Sequence, residues 1–151
     1  MLALIDSREK IPWSISLNEY ITDISTQKIE SGDYSLEGME EIVAIERKKN
    51  VAELAHNITE DRFWRAISRL EEIRHPLIII ECPLDHFYRW PDIIGVPQSV
   101  KNNTRISPAF LLSSLNDIMS RRIPIIFAGD TYHAEKEAND FLIKIVKKYK
   151  R

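Results

Sequence analysis

Apolar and polar positions divide the chain into short runs whose periods predict its elements. Leu2 to Ile5 is apolar and stops at the polar cluster Asp6-Ser7-Arg8-Glu9-Lys10. A buried strand that ends this way delivers its polar cluster to one edge of a sheet. Residues 13–31 fit two periods. Trp13, Ile15 and Leu17 alternate as in a strand, whereas Leu17, Tyr20, Ile21 and Ile24 fit a short helix. Ser25 to Glu30 has extended character. Tyr34 to Leu36, a turn at Glu37-Gly38, and Ile42 to Lys48 predict a β-hairpin whose second strand is buried on both faces.

Helical spacing then takes over. Asn50, with Glu53 three residues on, predicts a capped helix carrying Val51, Leu54, Ala55 and Ile58 on its apolar side. A second helix, Glu60 to Arg74, places Phe63, Ala66, Ile67, Leu70 and Ile73 on one face and Arg62, Arg65 and Arg69 on another. Pro76 ends it, and Leu77 to Ile80 is an apolar strand finishing at Glu81. Leu84 to Ile106 is the least regular stretch. It predicts one helical turn over Asp85–Trp90, with Phe87 in a satellite cluster, and then a loop carrying Lys101 and Arg105. Ser107-Pro108 opens a helix that runs to Arg121-Arg122 with Leu112, Leu115, Ile118 and Met119 inward. Ile123 to Ala128 is another strand. A final helix after Gly129-Asp130-Thr131 carries Ala134, Ala138, Phe141, Leu142 and Ile145, and ends in the basic tail Lys147-Lys148-Tyr149-Lys150-Arg151. This order predicts an α/β fold, a mixed central β-sheet flanked by helices, in a single domain over residues 1–151.

Composition narrows the function classes. The chain is long enough for one proper core. Its formal charge of −2 gives no global basic field, so any nucleic-acid surface must be a local patch. The lone Cys82 excludes an intrachain disulfide framework and fits a reducing compartment. No apolar run approaches the ~20 residues of a membrane span, and the N-terminus lacks a secretory leader's basic head. The expectation is a cytoplasmic protein, with nucleoid association open to it and no membrane partner.

The candidate chemistry lies in Gly32-Asp33-Tyr34 and Ile45-Glu46-Arg47-Lys48. On a strand, Glu46 and Lys48 project together and Arg47 points the other way. Asp33, on a neighbouring segment, brings a second carboxylate. Two carboxylates beside a lysine suit a divalent cation that, with the lysine, activates a water and steadies charge on a phosphate. The same spacing also suits a surface strand with a cross-strand ion pair. Asp6 is a candidate third acid and Arg8 a candidate phosphate contact; a local Asp6–Arg8 pair before Pro12 fits equally well. Arg62, Arg65 and Arg69 form either a phosphate-tracking stripe or a solvated face balanced by Glu71 and Glu72. Lys101 and Arg105, in a loop mixing aromatic and basic residues, are further candidate nucleic-acid contacts. His86 has no second histidine at metal spacing and reads as structural.

Taken together, Asp6-Ser7-Arg8-Glu9, Gly32-Asp33-Tyr34 and Ile45-Glu46-Arg47-Lys48 resemble the XPF-family nuclease domain, whose motif reads GD…ERK-x-x-x-D. Arg62-Phe63 and Arg69-Leu70 match that family's arginine helix, Leu77 to Glu81 its apolar strand ending in Glu, and the part from Ser107-Pro108 onward its C-terminal portion. The resemblance implies the three-layer fold of the PD-(D/E)XK, restriction-endonuclease-like superfamily. It also implies a Mg²⁺- or Mn²⁺-dependent DNA endonuclease of repair or recombination, cutting flaps and forks. By matching position, Asp33 and Glu46 are then the metal ligands, Asp6 an auxiliary acid acting directly or through water, and Lys48 the residue that orients the attacking water. Arg8 and Arg47 match positions important for activity, Arg47 by holding the site from the far face. A homodimer is implied as well. A stand-alone version of phage or prokaryotic type, without the modules of larger relatives, implies a helicase or other DNA-processing partner.

The chain departs from the family pattern where Ala52 stands in place of the last acid, with Glu53 one position later, and where Ala66 replaces a Gln or Glu. A non-catalytic nuclease-like DNA-binding or scaffolding subunit is the alternative class; Asp33, Glu46 and Lys48 favour the enzyme. The residues do not separate flaps and forks from a Holliday junction, ordinary duplex or RNA.

Overall fold

The computed structural model describes residues 1–150. Its strands are β1 (Leu2–Asp6), β2 (Asp23–Gln27), β3 (Tyr34–Leu36), β4 (Val43–Lys48), β5 (His75–Ile80) and β6 (Ile125–Phe127). They form one mixed sheet in the order β2-β1-β3-β4-β5-β6. The β1–β3 and β3–β4 pairs are antiparallel, and β1–β2, β4–β5 and β5–β6 are parallel. Parallel neighbours need long crossovers, which here are helical for β4–β5 and β5–β6. The helices are α1 (Val51–Asn57), α2 (Asp61–Glu71), α3 (Asp85–Arg89), α4 (Gln98–Asn103), α5 (Pro108–Ser120) and α6 (Thr131–Tyr149).

Alternation along the central strands sorts the core into two halves. Ala44, Ile78 and Ile80 pack with Leu54, Phe63, Ile67, Leu70, Phe87, Leu115 and Ile118 on the side of α1, α2, α3 and α5. Val43, Ile45, Leu77 and Ile79 face Ala134, Ala138, Leu142 and Val146 of α6, together with Trp13, Ile15 and Ile21. Helices, sheet and helix make three layers, as the motif resemblance implied. Among the described residues no helix is long and apolar enough to cross a membrane.

Four local expectations are corrected. Residues 13–22 are neither helix nor strand, because side chains of α6 take their backbone hydrogen bonds. The Ser14 N–H donates to Glu135 (2.8 Å) and the Ser16 N–H to Asn139 Oδ1 (2.7 Å), while Asn139 Nδ2 donates to the Ser14 carbonyl (2.9 Å). Residues 98–103 are the helix α4 rather than loop. No residue of α4 is buried, so it left no hydrophobic period to read. The buried stripe of α5 is Leu111, Ser114, Leu115 and Ile118, whereas Met119 is exposed. Phe87 belongs to the main core, edge-to-face with Phe127 at 5.5 Å. Arg151, the end of the predicted basic tail, lies outside the described residues.

Candidate functional site

Backbone geometry around Gly32 sets the site. Its φ is +78°, and a Cβ there would lie 3.0 Å from the Ile45 carbonyl oxygen and 3.1 Å from the Ala44 Cβ. Only glycine combines that conformation with so close an approach to β4. The approach carries Asp33 between two strands. Its N–H donates to the Ile45 carbonyl (2.7 Å), and its own carbonyl accepts from the Asp6 N–H (2.8 Å). The Asp33 carboxylate then accepts the Arg47 backbone N–H at 2.8 Å. On β4, strand alternation puts Glu46 and Lys48 on the α1/α2 side beside it, with Arg47 on the other face.

Lys48 Nζ lies 3.5 Å from Glu46 and 3.6 Å from Glu53, and donates to Asn57 Oδ1 at 2.9 Å. It also stands 5.3 Å from the centre of the Phe63 ring. Burial pushes the Asp33 carboxyl up to about 8, and the Glu46 charge adds to the shift. Burial also raises Glu46, and the Lys48 ammonium only partly opposes this. Two half-buried carboxylates thus share one corner of the cleft, with Lys48 beside Glu46. Adding positive charge there relieves both.

These groups line a cleft of ≈ 310 Å³ whose walls carry six carboxylates and four cationic side chains. That balance does not suit a DNA phosphate unaided, but it suits a divalent cation that bridges protein acids and phosphate. Among the described residues no three His, Cys, Asp or Glu side chains are grouped as a metal cage. An all-oxygen pair with open positions is nonetheless the donor set that hard, water-retaining ions use with phosphate substrates. Asp33 and Glu46 fit such an ion.

The cleft gathers most of the sequence-predicted residues: Asp6, Arg8, Asp33, Glu46, Lys48, Arg62 and Arg69 all line it. Asp6, however, is found in the local pair rather than as a free third acid. Its carboxylate accepts from Arg8 Nε (2.8 Å), Arg8 Nη2 (3.3 Å) and the Ile29 N–H (2.9 Å). Burial works against its ionisation, but the bonds from Arg8 and Ile29 outweigh it and hold the pKa below the usual value. Asp6 therefore presents Arg8, whose side chain is 68% exposed, to the cleft mouth. Arg65 is exposed on α2 but does not line the cleft. Lys101 and Arg105 are likewise not brought there. Their segment flanks a separate apolar groove lined by Ala52, Ala55 and Trp90.

Ala52 packs against the core, and it is Glu53, one position on, that turns toward Lys48. The offset acid is therefore present at the site. Asn57 went unread, because a lone polar residue nine positions from Lys48 leaves no periodic signal. Also unread was a polar network behind β4, in which Arg47 is only 7% exposed.

The ERCC4 domain family model matches residues 5–134. Among solved structures, XPF from Aeropyrum pernix superposes with a TM-score of 0.65 at 17% sequence identity, over 99% of this chain and 66% of that one. XPF from Aeropyrum pernix in complex with DNA gives a TM-score of 0.65 at 19% identity, over 97% and 65%. The chain thus spans about two thirds of the length of the solved chains it matches, and at these identities the likeness is one of fold. No curated protein matches the chain.

Proposed function

The chain belongs to the ERCC4 domain family, and we propose that it is a metal-dependent endonuclease hydrolysing DNA phosphodiesters in the cleft of Asp33, Glu46 and Lys48. One observation carries this reading. Asp33, Glu46 and Lys48 converge from two segments into one cleft, beside Arg8, Arg62 and Arg69. An ion-pair hairpin without catalytic duty has no need of a glycine-enforced approach that brings two half-buried carboxylates together.

Magnesium or manganese held by Asp33 and Glu46 would supply Lewis acidity toward a phosphate oxygen and lower the pKa of a water. The remaining chemistry falls to the chain. Lys48, fixed by Asn57 and Glu46, donates a hydrogen bond that orients the attacking water, and its charge opposes the negative charge developing on phosphorus. Arg8, steadied by Asp6, reaches the substrate from the cleft mouth. Arg62 and Arg69 flank it from α2 and take neighbouring phosphates.

DNA as the polymer is supported by a solved relative in complex with DNA. We assign branched DNA, flaps and forks, as the substrate class, with a homodimer and an accompanying helicase as the working assembly. These assignments rest on family membership alone.

The test is cleavage of labelled fork, flap, Holliday-junction, duplex and RNA substrates with Mg²⁺, Mn²⁺ or chelator. Metal-dependent cutting of forks or flaps, lost in Asp33→Ala and Glu46→Ala, is the expected result. Equal cutting by those variants sinks the site. No cutting, together with no calorimetric Mn²⁺ binding, makes the chain a non-catalytic DNA-binding subunit instead.

A further inference from the structure

Arg47 turns away from the cleft, and its side chain is only 5% exposed. Its Nε donates to Glu81 Oε1 at 2.7 Å, and its Nη1 donates to the Ile11 carbonyl (2.7 Å) and Glu9 (3.1 Å). The guanidinium carbon lies 4.7 Å from the centre of the Trp13 ring. The geometry behind β4 converges on Glu81. Its Oε1 also accepts from Trp13 Nε1 at 2.6 Å, and its Oε2 accepts the hydroxyl of Thr131, the first residue of α6, at 3.0 Å. Its backbone N–H donates to the Lys48 carbonyl at 2.8 Å. The glutamate side chain is as inaccessible as that of the arginine, each being 5% exposed. One buried carboxylate therefore gathers β4, β5, the 13–22 segment and α6.

The position follows from register. Arg47 pairs with Ile79 across parallel β4 and β5, so Glu81, two residues on, falls on the same face as Arg47. The peptide of Arg47 is thereby fixed from both sides of the sheet. Glu81 holds its side chain behind, Glu9 reaches it from the rim of the cleft, and its N–H holds the Asp33 carboxylate in front. Lys48 follows directly, with its carbonyl bonded to Glu81. Charge matters as well as shape, because neutralising Glu81 leaves a buried guanidinium with Glu9 as its one remaining anionic partner among the described residues. Any turn of the strand that relieves this shifts the donor on which Asp33 depends.

We propose that Glu81 is a positioning residue of the nuclease site, acting through Arg47 to set Asp33 and Lys48 for metal and water. This rests on the function proposed above. The role is that of an outer partner which orients a metal ligand, and loss of such partners costs about 10–100-fold in metal affinity or activity.

Glu81→Gln keeps the volume and an oxygen acceptor but removes the charge. Three readouts are taken on folded protein well below its Tm. First, hydrogen exchange in metal-free, DNA-free protein is expected to show the Arg47 amide exchanging about tenfold faster relative to the Ile45 amide. Second, calorimetric Mn²⁺ affinity is expected to fall about tenfold. Third, kcat on a forked DNA is expected to fall about tenfold with KM within roughly twofold. A residue that merely stabilises the fold lowers Tm and leaves all three ratios parental, and that result overturns the proposal. If Glu81→Gln does not fold, Thr131→Val removes one bond to the same carboxylate; it should give the same changes at about two- to threefold, and parental values again overturn it. If the parent neither binds Mn²⁺ nor cuts DNA, the proposed function fails, and the exchange measurement still decides whether Glu81 controls the Arg47–Asp33 bond.

Discussion

At position 32 a side chain meets two obstacles at once. A φ of +78° is disfavoured for L residues, and the Cβ would press on the Ile45 carbonyl at 3.0 Å. Gly32→Ala should therefore destabilise the fold by about 1–3 kcal/mol. It should also reduce cleavage far more than stability, because β4 must move away from the loop that carries Asp33. Thermal melts and cleavage rates at a temperature where both proteins are folded check the two effects separately; parental cleavage would separate Gly32 from the site. Cys82 behaves in the opposite way, as a residue with no exposed chemistry. Burial pushes its thiol up to about 11, and it is 3% exposed. Iodoacetamide should leave it unmodified in native protein at pH 8 and label it in denaturant, which mass spectrometry reads directly. Legibility at this scale followed sequence distance. Glu46 and Lys48 were readable because strand alternation places residues two apart on one face. Glu81 and Asn57 were not, because sheet register and a helix end bring them in from 34 and nine positions away.

Elements were legible wherever a hydrophobic period ran long enough to choose between helix and strand. The runs at Leu2–Ile5 and Leu77–Ile80 and the stripe Phe63, Ile67, Leu70 were of this kind, and the Asn50 and Ser107 caps bond as expected, to the Glu53 and Phe110 N–H groups. The capping box at Asn50 is only half used, because Glu53 turns toward Lys48. The 13–22 segment and α4 were illegible for different reasons. One satisfies its backbone through side chains of a helix more than a hundred residues away, and the other buries nothing. The turn after α5 carries a local conflict of its own. Arg122 has φ +64°, the left-handed conformation in which helices usually place glycine. Its side chain is exposed, so Arg122→Gly should raise stability by about 0.5–1 kcal/mol in chemical denaturation. An unchanged or lower midpoint would show that the arginine side chain offsets the strain.

Two parts of the whole molecule respond to pH in opposite directions. Where α6 ends against the start of β5, His75 Nε2 and the Tyr149 hydroxyl are 2.7 Å apart, and burial lowers the His75 pKa with help from Lys148 and Arg74. A histidine whose folded pKa lies below its unfolded value of about 6.5 contributes stability above that pH and loses it as pH falls through the folded pKa. Replacing His75 with Gln should thus flatten the decline in Tm between about pH 7 and pH 5. The cleft works the other way. Asp33 is raised to about 8, far above its unfolded value of about 3.9. The folded state therefore binds the proton more tightly, and the stability linked to it is present at low pH and lost as pH rises through 8. The full shift is not expected in stability, because water and salt ions reach the cleft. A loss on the order of 1–3 kcal/mol between pH 5 and pH 9 is. Asp33→Asn carries no charge to desolvate and should be more stable than the metal-free parent at pH 9, by clearly more than at pH 5. A bound dication removes the same penalty by pairing the carboxylate, so Mn²⁺ should raise the Tm of the parent and leave Asp33→Asn nearly unmoved. Denaturant titrations of parent and Asp33→Asn at the two pH values, each with and without Mn²⁺, separate these terms. Equal Mn²⁺ stabilisation of both proteins would place the ion away from Asp33, and the like-charge strain in the cleft would then have no ligand to explain it.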